Sequence, residues 1–149
     1  MKFAVSPIGR IETPFKRITD CPRNPRQIIP APVCSVTVFP DYVDGLRDLD
    51  GFSHLILLYW LDSAPRQSMV FQPPFASEPR GVFATRTPGR PNPIGLAVVA
   101  FDGFAAPDRL TVRNLDCVDG TPLIDIKPYL STIDAEPTAS LGWLASHPH

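Results

Sequence analysis

The sequence predicts an all-β domain built from short strands, and three observations predict it. Nineteen prolines are spread through 149 residues; each fixes φ and removes a backbone donor, which leaves little room for long helices. The apolar stretches are strand-sized, the longest running over residues 55–61. Several segments alternate apolar and polar side chains with a period of two, the pattern of a strand with one wet face. Many short strands joined by proline and glycine turns assemble as a barrel or a sandwich. A parallel sheet would need helical crossovers, for which the chain has no long helices.

Taken in order, residues 3–12 carry Val5, Ile8 and Ile11 and read as a first strand. Residues 13–32 are proline-rich and polar, a loop long enough to be functional or disordered inside a compact domain. Residues 34–39 alternate and read as a strand. In residues 41–50, Leu46 and Leu49 stand one turn apart, with Asp41 placed to cap a short helix. Residues 52–61 are almost continuously apolar and read as the central strand, buried on both sides. Residues 62–80 return to loop, 81–85 read as a short strand, and 86–93 are irregular because three prolines fall in eight residues. A second apolar strand covers 94–101 and an alternating one 110–115. Asp119-Gly120 marks a tight turn, after which 123–129 pairs back with Ile124 and Ile126 on one face. Residues 141–145 read as a short helix. The sum is about six strands, one or two short helices and three long loops, with a domain over residues 1–135 and a tail over 136–149.

Composition sets the outer limits. With 44% hydrophobic and 19% charged residues, the chain can bury one core of ordinary kind. No apolar run approaches the ~20 residues needed to cross a bilayer. The start, Met1-Lys2-Phe3-Ala4-Val5, lacks the apolar stretch of a signal peptide, so the protein reads as cytoplasmic. Cys21, Cys34 and Cys117 are too widely spaced for a zinc knuckle or a disulfide framework, and His54, His147 and His149 show no metal-ligand spacing. The cysteines read as free thiols and no metal is expected. Fourteen basic and 15 acidic side chains give a net charge of −1, which argues against a surface coated for nucleic acid. The distribution is uneven, however, and leaves room for a local patch. Arg10, Lys16, Arg17, Arg23 and Arg26 crowd the N-terminal segment; Arg80, Arg86 and Arg90 crowd the middle.

There is no G-x-G-x-x-G, Walker A, H-E-x-x-H or G-x-S-x-G motif. His54, at the head of the apolar strand, reads as a structural hydrogen-bonding residue. Three segments carry chemistry. The first is Gly81-Val82-Phe83-Ala84-Thr85-Arg86-Thr87-Pro88-Gly89-Arg90-Pro91-Asn92-Pro93-Ile94-Gly95-Leu96. Here rigid backbone presents two arginines, which suits carboxylate or phosphate recognition; a proline corner with solvated arginines is the alternative. The second runs from Asn114 to Tyr129, where acids, Lys127 and Tyr129 cluster around one turn. Asp125 sits in an otherwise apolar strand, so it either faces water or has a partner such as Lys127 or an arginine. The third is Asp20-Cys21-Pro22-Arg23-Asn24-Pro25-Arg26-Gln27 in the first loop.

Together with Ile8-Gly9-Arg10-Ile11-Glu12-Thr13-Pro14-Phe15-Lys16 and Gly51-Phe52-Ser53-His54-Leu55, these segments occur in the order found in one family. The chain resembles the TsaA-like, or TrmO, family of tRNA (N6-threonylcarbamoyladenosine-37) N6-methyltransferases, over residues 8–130. The resemblance implies a single β-barrel rather than a Rossmann fold, S-adenosyl-L-methionine as methyl donor, and tRNA as substrate, through its anticodon loop. It also implies a homodimer with cofactor sites near the interface. Three features depart from the family pattern. Asn24 stands where glutamine is usual, while Pro25-Arg26-Gln27 offers a second P-R-Q. Asp62-Ser63 replaces a His-Gln pair. The sequence stops soon after the D-I-K-P-Y block, as in a short form without the extra C-terminal domain.

By position, the family's cofactor contacts fall on Pro22, Arg23, Asn24, Leu61, Asp62, Arg86, Leu96, Leu115, Asp116, Cys117 and Val118. Arg86 suits the cofactor carboxylate through its planar fork, and Leu61 and Leu96 suit its ring. Methyl transfer to an exocyclic, amide-like nitrogen needs a proton acceptor, which a carboxylate of the Asp116, Asp119 and Asp125 group would supply. Asp119 is the first choice because a turn can face a cleft, and Asp125 the second. Arg90 or Lys127, with Tyr129, would meet the substrate, and basic residues of the first loop the tRNA backbone. Two other readings stay open: a methyltransferase of the same fold with a small-molecule or other nucleic-acid substrate, and a non-catalytic S-adenosylmethionine-binding module.

Overall fold

Period-two alternation sets the architecture of this computed structural model, which describes every residue except Gln67, Pro148 and His149. Eight strands form among the described residues: β1 (Gly9–Glu12), β2 (Val33–Val38), β3 (His54–Trp60), β4 (Val70–Phe71), β5 (Arg80–Gly81), β6 (Ile94–Ala106), β7 (Arg109–Arg113) and β8 (Thr121–Pro128). Six of them close into a barrel in the order β1-β2-β7-β6-β3-β8, with every pair antiparallel. The remaining two, β4 and β5, make a separate ribbon. Closure leaves no unpaired sheet edge in the barrel. Its interior is filled by aliphatic side chains, among them Ile11, Val36, Leu55, Leu57, Leu110 and Leu123, each fully buried.

Helical structure is confined to short pieces. Helix α1 (Ser131–Asp134) has four residues, and 3-10 turns form at Ile18–Asp20, Pro40–Leu46, Val82–Ala84 and Gly142–Ser146. No helix among the described residues is long and apolar enough to cross a membrane.

Several elements differ from the sequence reading, each for a physical reason. The first strand begins only at Gly9; residues 1–7 lie exposed and reach neither β2 nor β8. The expected helix over 41–50 is a 3-10 turn with Pro40 at its start and no side-chain cap, so Asp41 caps nothing; proline supplies the starting φ instead. Strand β3 is buried on one side only. Leu55, Leu57 and Tyr59 face the core while Ile56, Leu58 and Trp60 stay half-buried, because a barrel strand has one interior face. Residues 82–84, read as strand, form a turn because β4 offers β5 only two partners.

The largest difference concerns the end of the chain. β8 does not fold back on β7. It pairs with β1 on one side and β3 on the other. The turn residues show why: the Asp119 N–H donates to the Phe15 carbonyl and the Gly120 N–H to the Ile11 carbonyl. The turn is thus pinned to the β1 end, with Gly120 at a φ of 84°, a conformation glycine adopts freely. A register shift in β8 places Leu123 opposite Tyr59 and Ile126 opposite Leu57. Leu123 and Ile126, rather than Ile124 and Ile126, therefore serve the core.

Leu57, fully buried at the middle of β3, tests this architecture. Its replacement by alanine is expected to lower the free energy of unfolding by about 2–5 kcal/mol, measured by urea denaturation.

Candidate functional site

Strand parity carries Tyr59 inward, where its side chain is 2% exposed. A buried phenol needs a partner for its hydroxyl. The Tyr59 O–H donates to the Asp116 carboxylate at 3.1 Å. The ring has room to reach it because its cross-strand partner is Gly95. A Cβ at position 95 would sit 2.2 Å from Cε2 of Tyr59 and 2.6 Å from its Cδ2. The glycine of the Asn92-Pro93-Ile94-Gly95-Leu96 stretch is therefore the floor on which the tyrosine lies.

Asp116 follows β7 in a segment that opens at Asn114, whose φ is 75°, a left-handed conformation tolerated by asparagine. Burial raises the Asp116 carboxyl above the usual carboxylate range, and the Tyr59 hydrogen bond opposes this in part. Burial also drives the Tyr59 hydroxyl far above the ordinary phenol range; the Asp116 charge adds to the rise and the Arg86 charge opposes it. Cys21 of the first loop is raised by burial and then by the Asp116 charge. Burial pushes the Cys117 thiol up to about 12 and the Cys34 thiol to about 11. These effects couple Cys21 of the first loop, Arg86 and Cys117 to the Tyr59–Asp116 pair, whose carboxylate is half-buried.

The Arg86 loop is held by its own residues. The Arg90 Nη1 donates to the carbonyls of Thr85 at 2.9 Å and Thr87 at 3.2 Å. The Thr85 Oγ1 donates to the Val82 carbonyl at 2.8 Å. Arg86 itself makes no hydrogen bond or ion pair among the described residues and is exposed. Its guanidinium is left unpaired on a braced support. The Leu61 N–H donates to the Pro93 carbonyl at 2.8 Å, which ties the end of β3 to the same loop.

The other sequence-predicted residues fall as follows. Leu115 and Cys117 are buried at 2% and 3%, with their side chains in the core. Leu96 is 50% exposed on the outer face of β6, opposite Leu58. In the first loop, Asn24 Oδ1 accepts from the Arg26 N–H and Gln27 Oε1 from the Arg23 N–H. Both side chains that the two P-R-Q registers would offer are thus used to fold the loop. Asp62 lies exposed beside Ser63. Arg90 is committed to its loop. Lys127 pairs with Asp125 at 2.9 Å, one of the two arrangements open for that aspartate. The Tyr129 ring meets the His54 ring edge-on at 6.4 Å, and the His54 Nδ1 lies 2.8 Å from the Ser53 hydroxyl. Asp119 pairs with Lys16 at 2.8 Å and accepts from the Thr13 N–H at 3.0 Å; the Lys16 hydrogen bond foremost holds its carboxyl below the usual range. It faces a cleft of about 650 Å³ lined by Arg10, Thr13, Lys16, Val33 and Cys34 among others, not by Tyr59 or Arg86. His149 and the end of the 136–149 tail lie outside the described residues.

Tyr59 was not singled out from sequence. Two signals pointed to it: a phenol at an inward position of an apolar strand, and a glycine in the interior of the facing one.

A closed six-stranded antiparallel barrel with a half-buried tyrosine–aspartate pair and an unpaired arginine at its loops defines an all-β domain outside the Rossmann class. Comparison with known proteins makes the assignment specific. The model of the tRNA-methyltransferase O N-terminal domain matches residues 10–135, and the chain belongs to that family. A probable S-adenosyl-L-methionine-binding protein of Archaeoglobus fulgidus is 45% identical over 139 residues, covering 91% of this chain and 36% of that protein. The tRNA (adenine(37)-N6)-methyltransferase of Escherichia coli is 35% identical over 154 residues, covering 98% of this chain and 66% of that protein. The crystal structure of TrmO from Pseudomonas aeruginosa superposes with a TM-score of 0.81 at 36% identity, covering all of this chain and 66% of that one. The chain thus spans about a third of the first of these proteins and just under two thirds of the other two.

Replacing Gly95 with alanine forces the Tyr59 ring off its seat. The expected outcome is a loss of about 1–3 kcal/mol of stability, as for other overpacked cores, with weakened ligand binding. Thermal unfolding and calorimetric titration with S-adenosylmethionine check both.

Proposed function

We propose that this chain is an S-adenosyl-L-methionine-dependent methyltransferase that methylates N6 of N6-threonylcarbamoyladenosine at position 37 of tRNA. Family membership supports the reaction class. The observation that carries the site is the half-buried Tyr59–Asp116 pair coupled to the unpartnered Arg86. These residues fit the cofactor. Arg86 offers a bidentate fork for its carboxylate, Leu61 and Leu96 offer apolar surface for its ring, and the backbone of 115–118 offers hydrogen-bonding groups for its adenine edge. Pro22, Arg23, Asn24 and Asp62 would complete the surroundings.

S-adenosylmethionine supplies an activated methyl group on a positively charged sulfur. The protein must then hold the acceptor nitrogen in line and take its proton. The proposed acceptor is Asp116 rather than Asp119. A carboxylate with raised proton affinity is the better base, and Asp119 is spent on Lys16 and Thr13. The Tyr59 hydroxyl fixes the Asp116 carboxylate from its buried side. Because Arg90 and Lys127 are both engaged within the chain, any contact of Lys127 with the threonyl carboxylate would come at the expense of Asp125. The exposed arginines of the first loop would meet the tRNA backbone, which predicts salt-sensitive binding.

The chain is further proposed to act in the cytoplasm as a homodimer. Ile94 and Leu96 are 46% and 50% exposed on the outer face of β6, directly opposite Trp60 and Leu58 of β3. This apolar face adjoins the proposed cofactor site.

Incubation with labelled S-adenosylmethionine and total tRNA should label tRNA only from cells able to make threonylcarbamoyladenosine. Label in neither pool, with cofactor binding intact, would favour a binding module or a small-molecule substrate.

Asp116→Asn is expected to lower turnover by about 10²–10⁴-fold, while Asp119→Asn keeps turnover. Because the folded-state proton affinity of Asp116 is raised, its ionisation costs stability as pH rises through the folded value. Asp116→Asn should therefore unfold at an equal or higher temperature at neutral pH. For Asp119 the sign is opposite: its stabilisation is present above the unfolded pKa and is lost as pH falls through the folded one. The acid limb of the wild-type rate profile should lie above the ordinary carboxylate range and disappear in Asp116→Asn; melting curves and pH–rate profiles read both effects.

A further inference from the structure

The 3-10 turn Gly142–Ser146 lies outside the barrel, yet it reaches back to the proposed site. The Trp143 Nε1–H donates to the Ala84 carbonyl at 2.7 Å. Its indole stacks on Phe75 with ring centres 5.8 Å apart and planes 9° from parallel. The Arg80 guanidinium sits 4.8 Å from the indole centre on the ring. Arg80 Nε is buried without a hydrogen-bond partner, so the aromatic face is what that side of the cation has in place of water. The His147 Nδ1 lies 2.9 Å from the Trp143 carbonyl and closes the turn.

These contacts converge on the backbone around Arg86. The Ala84 carbonyl, two residues before it, is held by Trp143. The Thr85 and Thr87 carbonyls, on either side of it, are held by Arg90. Arg86 is thus free at its tip and fixed along its backbone, and one of the three fixings comes from the tail. An exposed arginine loses much rotamer and loop freedom when it grips a carboxylate, and bracing the loop in advance lowers that cost.

We infer that Trp143 is a positioning residue: it clamps the Ala84 carbonyl and so presets Arg86 for the carboxylate of the bound cofactor. The inference rests on the proposed role of Arg86. It implies that Trp143 matters only for ligands that carry the amino-acid end.

The test compares two probes on the full chain, S-adenosylhomocysteine, which has the carboxylate, and methylthioadenosine, which lacks it. Trp143→Ala should weaken S-adenosylhomocysteine by about tenfold or more, the scale of one charge-assisted contact, and leave methylthioadenosine within about twofold. Trp143→Phe keeps the stack but loses the N–H, and should fall between. In an Arg86→Ala background the Trp143→Ala effect should vanish, as expected for residues acting through one another. Equal weakening of both probes would overturn the clamp and indicate general damage; so would an unchanged S-adenosylhomocysteine affinity in a folded Trp143→Ala protein. Arg86→Ala separates the two readings. If it leaves S-adenosylhomocysteine binding intact, the assignment of Arg86 fails and the inference falls with it. If it weakens binding while Trp143→Ala does not, the clamp alone is wrong.

Discussion

The seam that β8 makes with both β1 and β3 is the constraint on which the rest of the molecule depends. It joins the first strand of the chain to the last and turns an open sheet into a barrel. The seam needs a turn that crosses the barrel end instead of reversing on itself. The backbone bonds from Asp119 and Gly120 to Phe15 and Ile11 provide it. The Asp119 carboxylate serves the same purpose through the Thr13 N–H and Lys16. The Thr13 hydroxyl adds a buried bond to the Cys117 carbonyl at 2.8 Å. The Asp119 carboxylate is thus part of the closure.

Closure has a second effect, on Asp116. The segment between the β7 exit and the Asp119 turn is short and tied at its far end, so Asp116 is held close over the barrel. There the hydroxyl of Tyr59 meets it. The proton affinity of the site is therefore set by the fold: burial raises it and one hydrogen bond tempers it. Gly95 belongs to the same chain of dependence, because any side chain there would occupy the volume of the tyrosine ring.

What could be read from the sequence was what depends on local patterning. Alternation in residues 34–39, and the proline-poor apolar stretches at 52–61 and 94–101, located β2, β3 and the first part of β6. The free thiols, the irregular Arg86 loop and the structural histidine at position 54 were also legible. What was not legible depends on who lies opposite whom. The partners of β8 are fixed by contacts far apart in the chain, those with β1 more than a hundred residues, and a turn motif such as Asp119-Gly120 carries no information about them. The register shift in β8 exchanged Ile124 for Leu123 on the core face for the same reason. What distinguishes the three nearby aspartates is burial and ion pairing, which no spacing rule reports. Of the segments that the resemblance to a family marked, Leu115 and Cys117 are sealed in the core, while Arg86 and Leu96 stay exposed.

The raised thiols have a chemical consequence of their own. A sulfonium methyl donor is an electrophile, and the side chain it alkylates most readily is a thiolate, not a thiol. Two cysteines flank the proposed site: Cys117 adjoins Asp116 in sequence, and Cys21 lies within reach of its charge. Burial disfavours the thiolate at both, and the Asp116 charge adds to this at Cys21 and Cys117 alike. The carboxylate proposed as the proton acceptor thus also disfavours the thiolates beside it.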